Sequence, residues 1–161
     1  MVRSRIHIHP PRRCDDRAVH EFFGRLGPRT RYLRFLTPTP VPEFVLNLIT
    51  SVDDCRLALI AEVDSAEGTT VVAVGNLAAI SDDTAEVGLV VGDEWQRQGI
   101  GKAVAMRVLE AAEARGFSRF VAHVLSENAV MRKLLDQVGV IVSTKTKYCV
   151  SEVSFVRRRR D

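Results

Sequence analysis

Along this chain the apolar positions switch between a period of two and a period near 3.6, and no apolar run is long. Arg5-Ile6-His7-Ile8-His9 alternates and stops at Pro10-Pro11, which predicts a first strand. With Asp15 or Asp16 as cap, Ala18, Val19, Phe22, Phe23 and Leu26 recur on one helical face until Gly27-Pro28. Residues 29–35 predict a second helical stretch, broken by Thr37-Pro38-Thr39-Pro40, and Pro42 opens a short helix through Ile49. Three strand-like runs follow, 55–63, 70–77 and 84–91. Their short turns, Ala66-Glu67-Gly68-Thr69 and Ser81-Asp82-Asp83, predict an antiparallel meander. Residues 100–115 read as an amphipathic helix stopped by Gly116, 119–125 as an apolar strand of buried type, and 128–138 as a helix ended by Gly139. A hairpin of 140–145 and 148–156 closes the chain. Because 84–125 reads strand–helix–strand, its two strands are expected to be parallel, joined by a right-handed crossover.

The 161 residues suit one domain, expected over 1–156, with a basic tail over 157–161. Hydrophobic residues make up 46% and mean hydropathy is +0.01, the composition of a water-soluble globular chain. The start, Met1-Val2-Arg3-Ser4-Arg5, has no apolar stretch of the signal-peptide kind. Cys14, Cys55 and Cys149 are odd in number and lack metal-ligand spacing, so buried or idle thiols in a reducing cytoplasm are expected. The pI near 9.0 suggests a nucleic-acid partner at first sight. The segment Arg157-Arg158-Arg159-Arg160-Asp161 alone carries the formal net charge of +3, so the body is neutral and no nucleic acid or membrane partner is expected. A terminal arginine run is expected to be a solvated end. His7 and His9 share a strand face but have no carboxylate or cysteine at ligand spacing, so no metal is expected.

Candidate chemistry lies at Gln96-Arg97-Gln98-Gly99-Ile100-Gly101-Lys102, between strand 84–91 and helix 100–115. The first turn of a helix has amides without intrahelical partners, and its dipole favours negative charge. Glycines there let the backbone approach a ligand, so a phosphate or pyrophosphate is the natural guest. A nucleoside-triphosphate loop is excluded, because Gln96 stands at its first glycine and Ala103 follows Lys102. A dinucleotide fingerprint is excluded too, since Val104 stands at its third glycine.

The pattern that does fit is Gln96-x-x-Gly99-x-Gly101, which resembles the acyl-CoA pyrophosphate loop of the GNAT superfamily of N-acyltransferases. The order strand, helices, three strands, helix, strand, helix, two strands is similar to that fold over nearly the whole chain. The resemblance implies an α/β (α+β) fold with a mixed, mostly antiparallel sheet. A central parallel pair is splayed around acetyl-CoA by a bulge in the strand before the loop, and helices flank the sheet. It implies acetyl transfer from acetyl-CoA to a primary amine, with a homodimer as one assembly. Gln96, Arg97, Gln98, Gly99, Ile100, Gly101 and Lys102 would then cradle pyrophosphate, and the backbone of Leu89, Val90 and Val91 would line the pantetheine and acyl carbonyl. Glu86, ten residues before Gln96, would be general base, while Asp93 and Glu94 are turn residues. Asn128 would bond the pantetheine arm, or cap its helix. The family's usual tyrosine acid is replaced by Leu135; Tyr32, Tyr148 and Ser126 are remote substitutes. Trp95 is expected to anchor the loop on the core. Arg29-Thr30-Arg31-Tyr32-Leu33-Arg34-Phe35, with Asp93-x-Trp95-Gln96 and Asn128-x-x-Met131, further resembles the acetyltransferase domain of bacterial protein lysine acetyltransferases. That likeness puts Arg31 and Arg34 at the border of the acceptor cleft. A small amine acceptor and a catalytically silent CoA-binding domain remain the alternatives.

Overall fold

The computed structural model describes residues 5–159. Seven strands, β1 (Ile6–His9), β2 (Arg56–Ser65), β3 (Gly68–Ala79), β4 (Thr84–Val91), β5 (Arg119–Leu125), β6 (Gly139–Lys147) and β7 (Val150–Arg157), alternate with five helices. The helices are α1 (Asp16–Arg25), α2 (Pro28–Phe35), α3 (Glu43–Ile49), α4 (Ile100–Ala114) and α5 (Ala129–Val138). They form one sheet in the order β1-β2-β3-β4-β5-β7-β6. Only β4 and β5 pair in parallel, as their crossover through α4 requires.

Each sheet face is covered because alternate strand residues are apolar on both sides. On β4, Ala85, Val87, Leu89 and Val91 pack with Ile100, Val104 and Val108 of α4 and with Leu135 and Val138 of α5. Val90 points the other way, into a second core with Phe22 and Phe23 of α1 and Leu46 of α3. Glu86 and Gly88 share the Val90 side by alternation. Helix α2 lies over this face where β4 and β5 meet.

Several expectations are corrected. α1 starts at Asp16 after a single tight turn, and Asp15 turns its carboxylate back to Arg12 instead of capping the helix. β3 runs longer than residues 70–77 because its ladder with β2 continues from Gly68 to Ala78. The cysteines are exposed, not buried. The basic tail does not begin free of the fold. Arg157 ends β7 with its guanidinium 2.7 Å from Glu113, and the Arg158 amide donates to Val138 O at 2.8 Å. The expectations for residues 1–4, 160 and 161 lie outside the described residues. Among the described residues, no helix is long and apolar enough to cross a membrane.

Candidate active site

β4 and β5 pair at only three positions, Thr84 with Arg119, Ala85 with Phe120 and Glu86 with Val121. Beyond Glu86 they part, although β4 continues to Val91 and β5 to Leu125. The gap is an apolar cleft of about 430 Å³, counted to its open mouth, lined by Val87, Leu89, Ala122, Met131, Leu134 and Leu135 among others. The expected β4 bulge is absent. β3 and β4 stay in unbroken register from Ala73–Val91 to Ala79–Ala85, and the register shifts fall in the β2–β3 and β6–β7 pairs. Side chains of α4 and α5 line the space under the parting strands.

Strand alternation decides which backbone groups face the gap. The Gly92 amide donates to Val72 O at 2.8 Å, so even-numbered β4 residues bond to β3. Val90 is therefore engaged by β3, with its side chain in the second core; this corrects its place among the lining residues. Leu89 and Val91 are left to present backbone groups toward the cleft. One of these is spoken for, since Gln96 Nε2 donates to Val91 O at 3.1 Å. The Leu89 and Val91 amides are the donors left facing the place where β4 and β5 separate.

The loop past β4 is locked before any ligand arrives. Asp93 accepts from the Gly27 amide at 2.7 Å and from the Thr30 hydroxyl, tying the loop to the start of α2. Gln96 also donates to Thr30 Oγ1 at 3.1 Å, and Gln98 to Glu94 O at 3.1 Å. Asp93 is thus a clamp and not only a turn residue. Arg97 and Gly99 have φ of 61° and 82°; the left-handed turn suits glycine and sets Gly99 as the N-cap of α4. Ala103 donates to Gly99 O at 3.1 Å. The amides of Gly99, Ile100, Gly101 and Lys102 precede that bond and have no intrahelical acceptor by helix geometry. A Cβ on Gly101 would stand 3.3 Å from Val91 Cγ2 and 3.5 Å from Leu89 Cδ2, so glycine there lets α4 press against β4. Trp95 packs against the main core as expected.

Glu86 is half-exposed at the vertex where pairing ends. His123 from β5 holds Nδ1 3.2 Å from Glu86 Oε1 and Nε2 3.4 Å from Glu152 Oε2. Arg34 reaches across Gly88 and donates to Asn76 Oδ1 at 2.9 Å; a Cβ on Gly88 would collide with both groups. Burial pushes the Arg34 guanidinium below its usual range, against the opposing pull of Glu86. The Arg31 and Arg34 Nε atoms are buried without hydrogen-bond partners. Asn128 caps α5, its Oδ1 accepting from the Met131 amide at 3.1 Å. Leu135 is a buried wall of the cleft, and Tyr148 sits exposed at the β6–β7 turn.

His123 and Glu152 were missed by sequence reasoning, because 119–125 read as uniformly buried. The signal was the polar residue at an alternate position of that strand, legible only once β7 supplied the His123–Glu152 register.

Away from the cleft, the fold gives His9 carboxylate neighbours that spacing alone did not reveal. His9, Asp15 and Glu62 offer ligand atoms within 4.8 Å of one another. Arg12 already supplies the cation there, 3.0 Å from Asp15 and 3.8 Å from Glu62. His7 pairs with Asp64 at 3.0 Å.

The model of the acetyltransferase (GNAT) family matches residues 29–140, from α2 to the start of β6. The chain belongs to the GNAT family. This member of the GNAT family is 40% identical over 57 residues to the acetyltransferase Pat of Mycolicibacterium smegmatis, a stretch covering 35% of this chain and 17% of that protein. A Pseudomonas aeruginosa acetyltransferase is 24% identical over 137 residues, 83% of this chain and 74% of its own. Among solved structures, the GNAT domain of S. lividans PAT superposes with a TM-score of 0.81 at 24% identity, over 94% of this chain and 90% of that one. A phosphinothricin acetyltransferase from Sinorhizobium meliloti, solved in complex with AcCoA, superposes at 0.69 with 16% identity, over 94% and 87%.

Proposed function

We propose that this chain transfers an acetyl group from acetyl-CoA to a primary amine, with a protein lysine as the favoured acceptor. The observation that carries the reading is the coincidence of three features at one point. The parallel pair parts after Glu86, an apolar cleft opens there, and the amides of Gly99–Lys102 stand at its end. The pantetheine arm would lie in the cleft, its pyrophosphate on the α4 amides, with Asn128 beside the arm. The side chains of Gln96 and Gln98 hold the loop, while Arg97 and Lys102, both exposed, add positive charge. The Leu89 amide would donate to the thioester oxygen, a contact worth ~3 kcal/mol in acyl transfer. Glu86 would take the proton of the incoming ammonium, directly or through water. The thiolate leaves unaided, since a thiol of ordinary pKa ~8.5 is a good leaving group and Leu135 offers no proton. Exposed thiols at Cys14, Cys55 and Cys149 suit the reducing cytoplasm in which we place the protein.

Support for a lysine acceptor is the likeness of the Arg29–Phe35 segment and of the Met131 and Trp95 motifs to bacterial protein lysine acetyltransferases. Leu135 favours a second reading, a CoA-binding domain without turnover. Two measurements separate them. Acetyl-CoA should raise the melting temperature by mass action, whereas NAD and ATP should not. A CoA-release screen of lysine peptides, amino acids and polyamines should find an acceptor. Stabilisation by acetyl-CoA with no CoA release from any of them would favour the silent domain. Stabilisation by NAD or ATP alone would overturn both.

A further inference from the structure

Glu86 does not stand alone at the vertex of the cleft. Histidine is the side chain most often used to move a proton in catalysis. His123 supplies an imidazole 3.2 Å from Glu86. We propose that Glu86 and His123 work as one base, sharing a proton between Glu86 Oε1 and His123 Nδ1, with Glu152 holding the far side of the ring. This rests on the reading of Glu86 as the base for amine acetylation and extends it to a second residue.

The argument is one of donors and acceptors. An ionised carboxylate only accepts, and a neutral imidazole has one donor and one acceptor nitrogen. His123 faces a carboxylate on each side, Glu86 on β4 and Glu152 on β7. Only the Glu86 contact has hydrogen-bond geometry; Glu152 stands 3.4 Å from the far nitrogen as a second negative charge. One added proton makes the ring a cation between two carboxylates, with its Glu86 hydrogen bond charge-assisted. The cluster is thus built to take up a single proton, as the reaction requires. The other charged groups nearby are Arg34 on α2, whose field meets Glu86, and Lys145 on β6, opposite Glu152 in register. All three side chains are about half exposed, so the proton has a way out.

The step balances. An N–H bond of the acceptor ammonium breaks as an O–H bond forms on Glu86. That proton moves to His123 Nδ1, giving imidazolium between two carboxylates. The amine lone pair, now free, attacks the thioester carbonyl and forms the C–N bond; the C–S bond then breaks, CoA leaves as the thiolate, and the nitrogen loses its second proton to water. The imidazolium then releases one ring proton to water and returns to the neutral form.

The test pairs a spectroscopic readout with turnover. In side-chain NMR the imidazoles of His7, His9, His20 and His123 are titrated in wild type, Glu86→Gln and Glu152→Gln. His123 should bind its proton about tenfold less tightly in Glu86→Gln than in wild type. In CoA release with the best amine of the screen, His123→Ala should lose about 10²-fold in kcat with unchanged KM for acetyl-CoA. Millimolar imidazole should restore turnover saturably in that variant. An unaltered His123 titration in Glu86→Gln would overturn the shared proton. So would wild-type turnover and pH profile in His123→Ala, or a rate loss that imidazole does not rescue. Full turnover in Glu86→Gln would instead remove Glu86 as base, a separate failure. If no amine of the screen turns over, the NMR arm still decides whether the proton is shared.

Discussion

The sheet carries two histidine–carboxylate clusters whose surroundings differ. At one edge, His9 sits 2.7 Å from Glu62, a carboxylate only 8% exposed, and Arg12 bridges Glu62 to Asp15. His9 Nδ1 also donates to Pro10 O at 2.7 Å. The polar atoms there have partners within the fold, and the cations and anions offset one another. At the centre, His123 stands between Glu86 and Glu152, all half-exposed, at the vertex of a cleft. Their two contacts are longer, 3.2 and 3.4 Å, and only the one to Glu86 has hydrogen-bond geometry. The same residue types therefore serve opposite ends. Largely buried and offset by Arg12, they hold β1 to β2; half-exposed between two carboxylates, they stand at the vertex of the cleft. Residue type alone does not separate the two; exposure and the charge balance around the ring do.

The comparison breaks most sharply at Glu86. Glu86→Gln keeps the shape but removes the basicity, and turnover should fall by about 10² to 10⁴ at neutral pH. Melting temperature and acetyl-CoA affinity should stay near wild type, because the side chain is half in water. Wild-type turnover with a saturating acceptor would assign the proton to another group.

The other cluster should respond in the opposite currency. Glu62→Ala leaves His9 and Arg12 without their shared carboxylate at a buried position. A loss of stability of about 2 kcal/mol is expected, below the usual cost of breaking a buried pair because Arg12 is largely exposed. Turnover per folded molecule should be unchanged. Denaturant melts and single-concentration turnover read both; equal stability to wild type would end the structural assignment.

Much of this was legible in the chain, and the reason is local. The strand-like run 84–91 and the amphipathic pattern of 100–115 specify β4 and α4 without reference to the rest of the fold. Their junction at Gly99–Gly101 then specifies a helix start with amides free of helical acceptors. The unreadable parts depend on partners distant in sequence. His123 meets Glu152 through β5–β7 register and Glu86 through β4–β5 register. Asp93 meets Thr30 across 63 residues, which turned an expected turn residue into a clamp. Arg157 looked like tail because its partners, Glu110 and Glu113, lie on α4. The absent bulge and the β3-facing Val90 show another limit: a resemblance carries the opening of the parallel pair but not how a given chain achieves it.

A variant at the cleft should leave both clusters alone. A side chain at Gly101 would point at Val91, Leu89 and Leu134. Gly101→Glu should therefore close the mouth of the cleft and set a carboxylate near the pyrophosphate path. Acetyl-CoA affinity should drop at least about tenfold, or ~1.4 kcal/mol, by calorimetry. The His9 and His123 titrations should not move. Unchanged affinity in a folded variant would take the α4 start out of the cofactor site.

The smallest expected effect is a pH dependence of stability set by the buried cluster. Burial by itself would lower the His9 pKa, but the Glu62 hydrogen bond and the Pro10 carbonyl outweigh it, and the pKa is raised. A raised folded-state value means the folded protein holds this proton more tightly than the unfolded chain. The stabilisation is then fully present below the unfolded imidazole value of about 6.5 and fades as pH climbs through the folded value. Asp15 runs the other way. Its hydrogen bonds from Arg12 outweigh burial and lower its pKa, so its contribution is present above the ordinary carboxylate range and fades as pH falls through the lowered value. Together they predict a plateau between about pH 4 and 6.5 with a shallow loss on each side, on the order of 1 kcal/mol or less. Chemical denaturation from pH 3 to 9 reads it directly. His9→Gln should flatten the alkaline limb and Asp15→Asn the acid limb, while His123→Ala should leave both in place. Stability that rises between pH 6 and 9 in the wild type, or limbs that vanish in His123→Ala, would reverse the roles assigned to the two clusters.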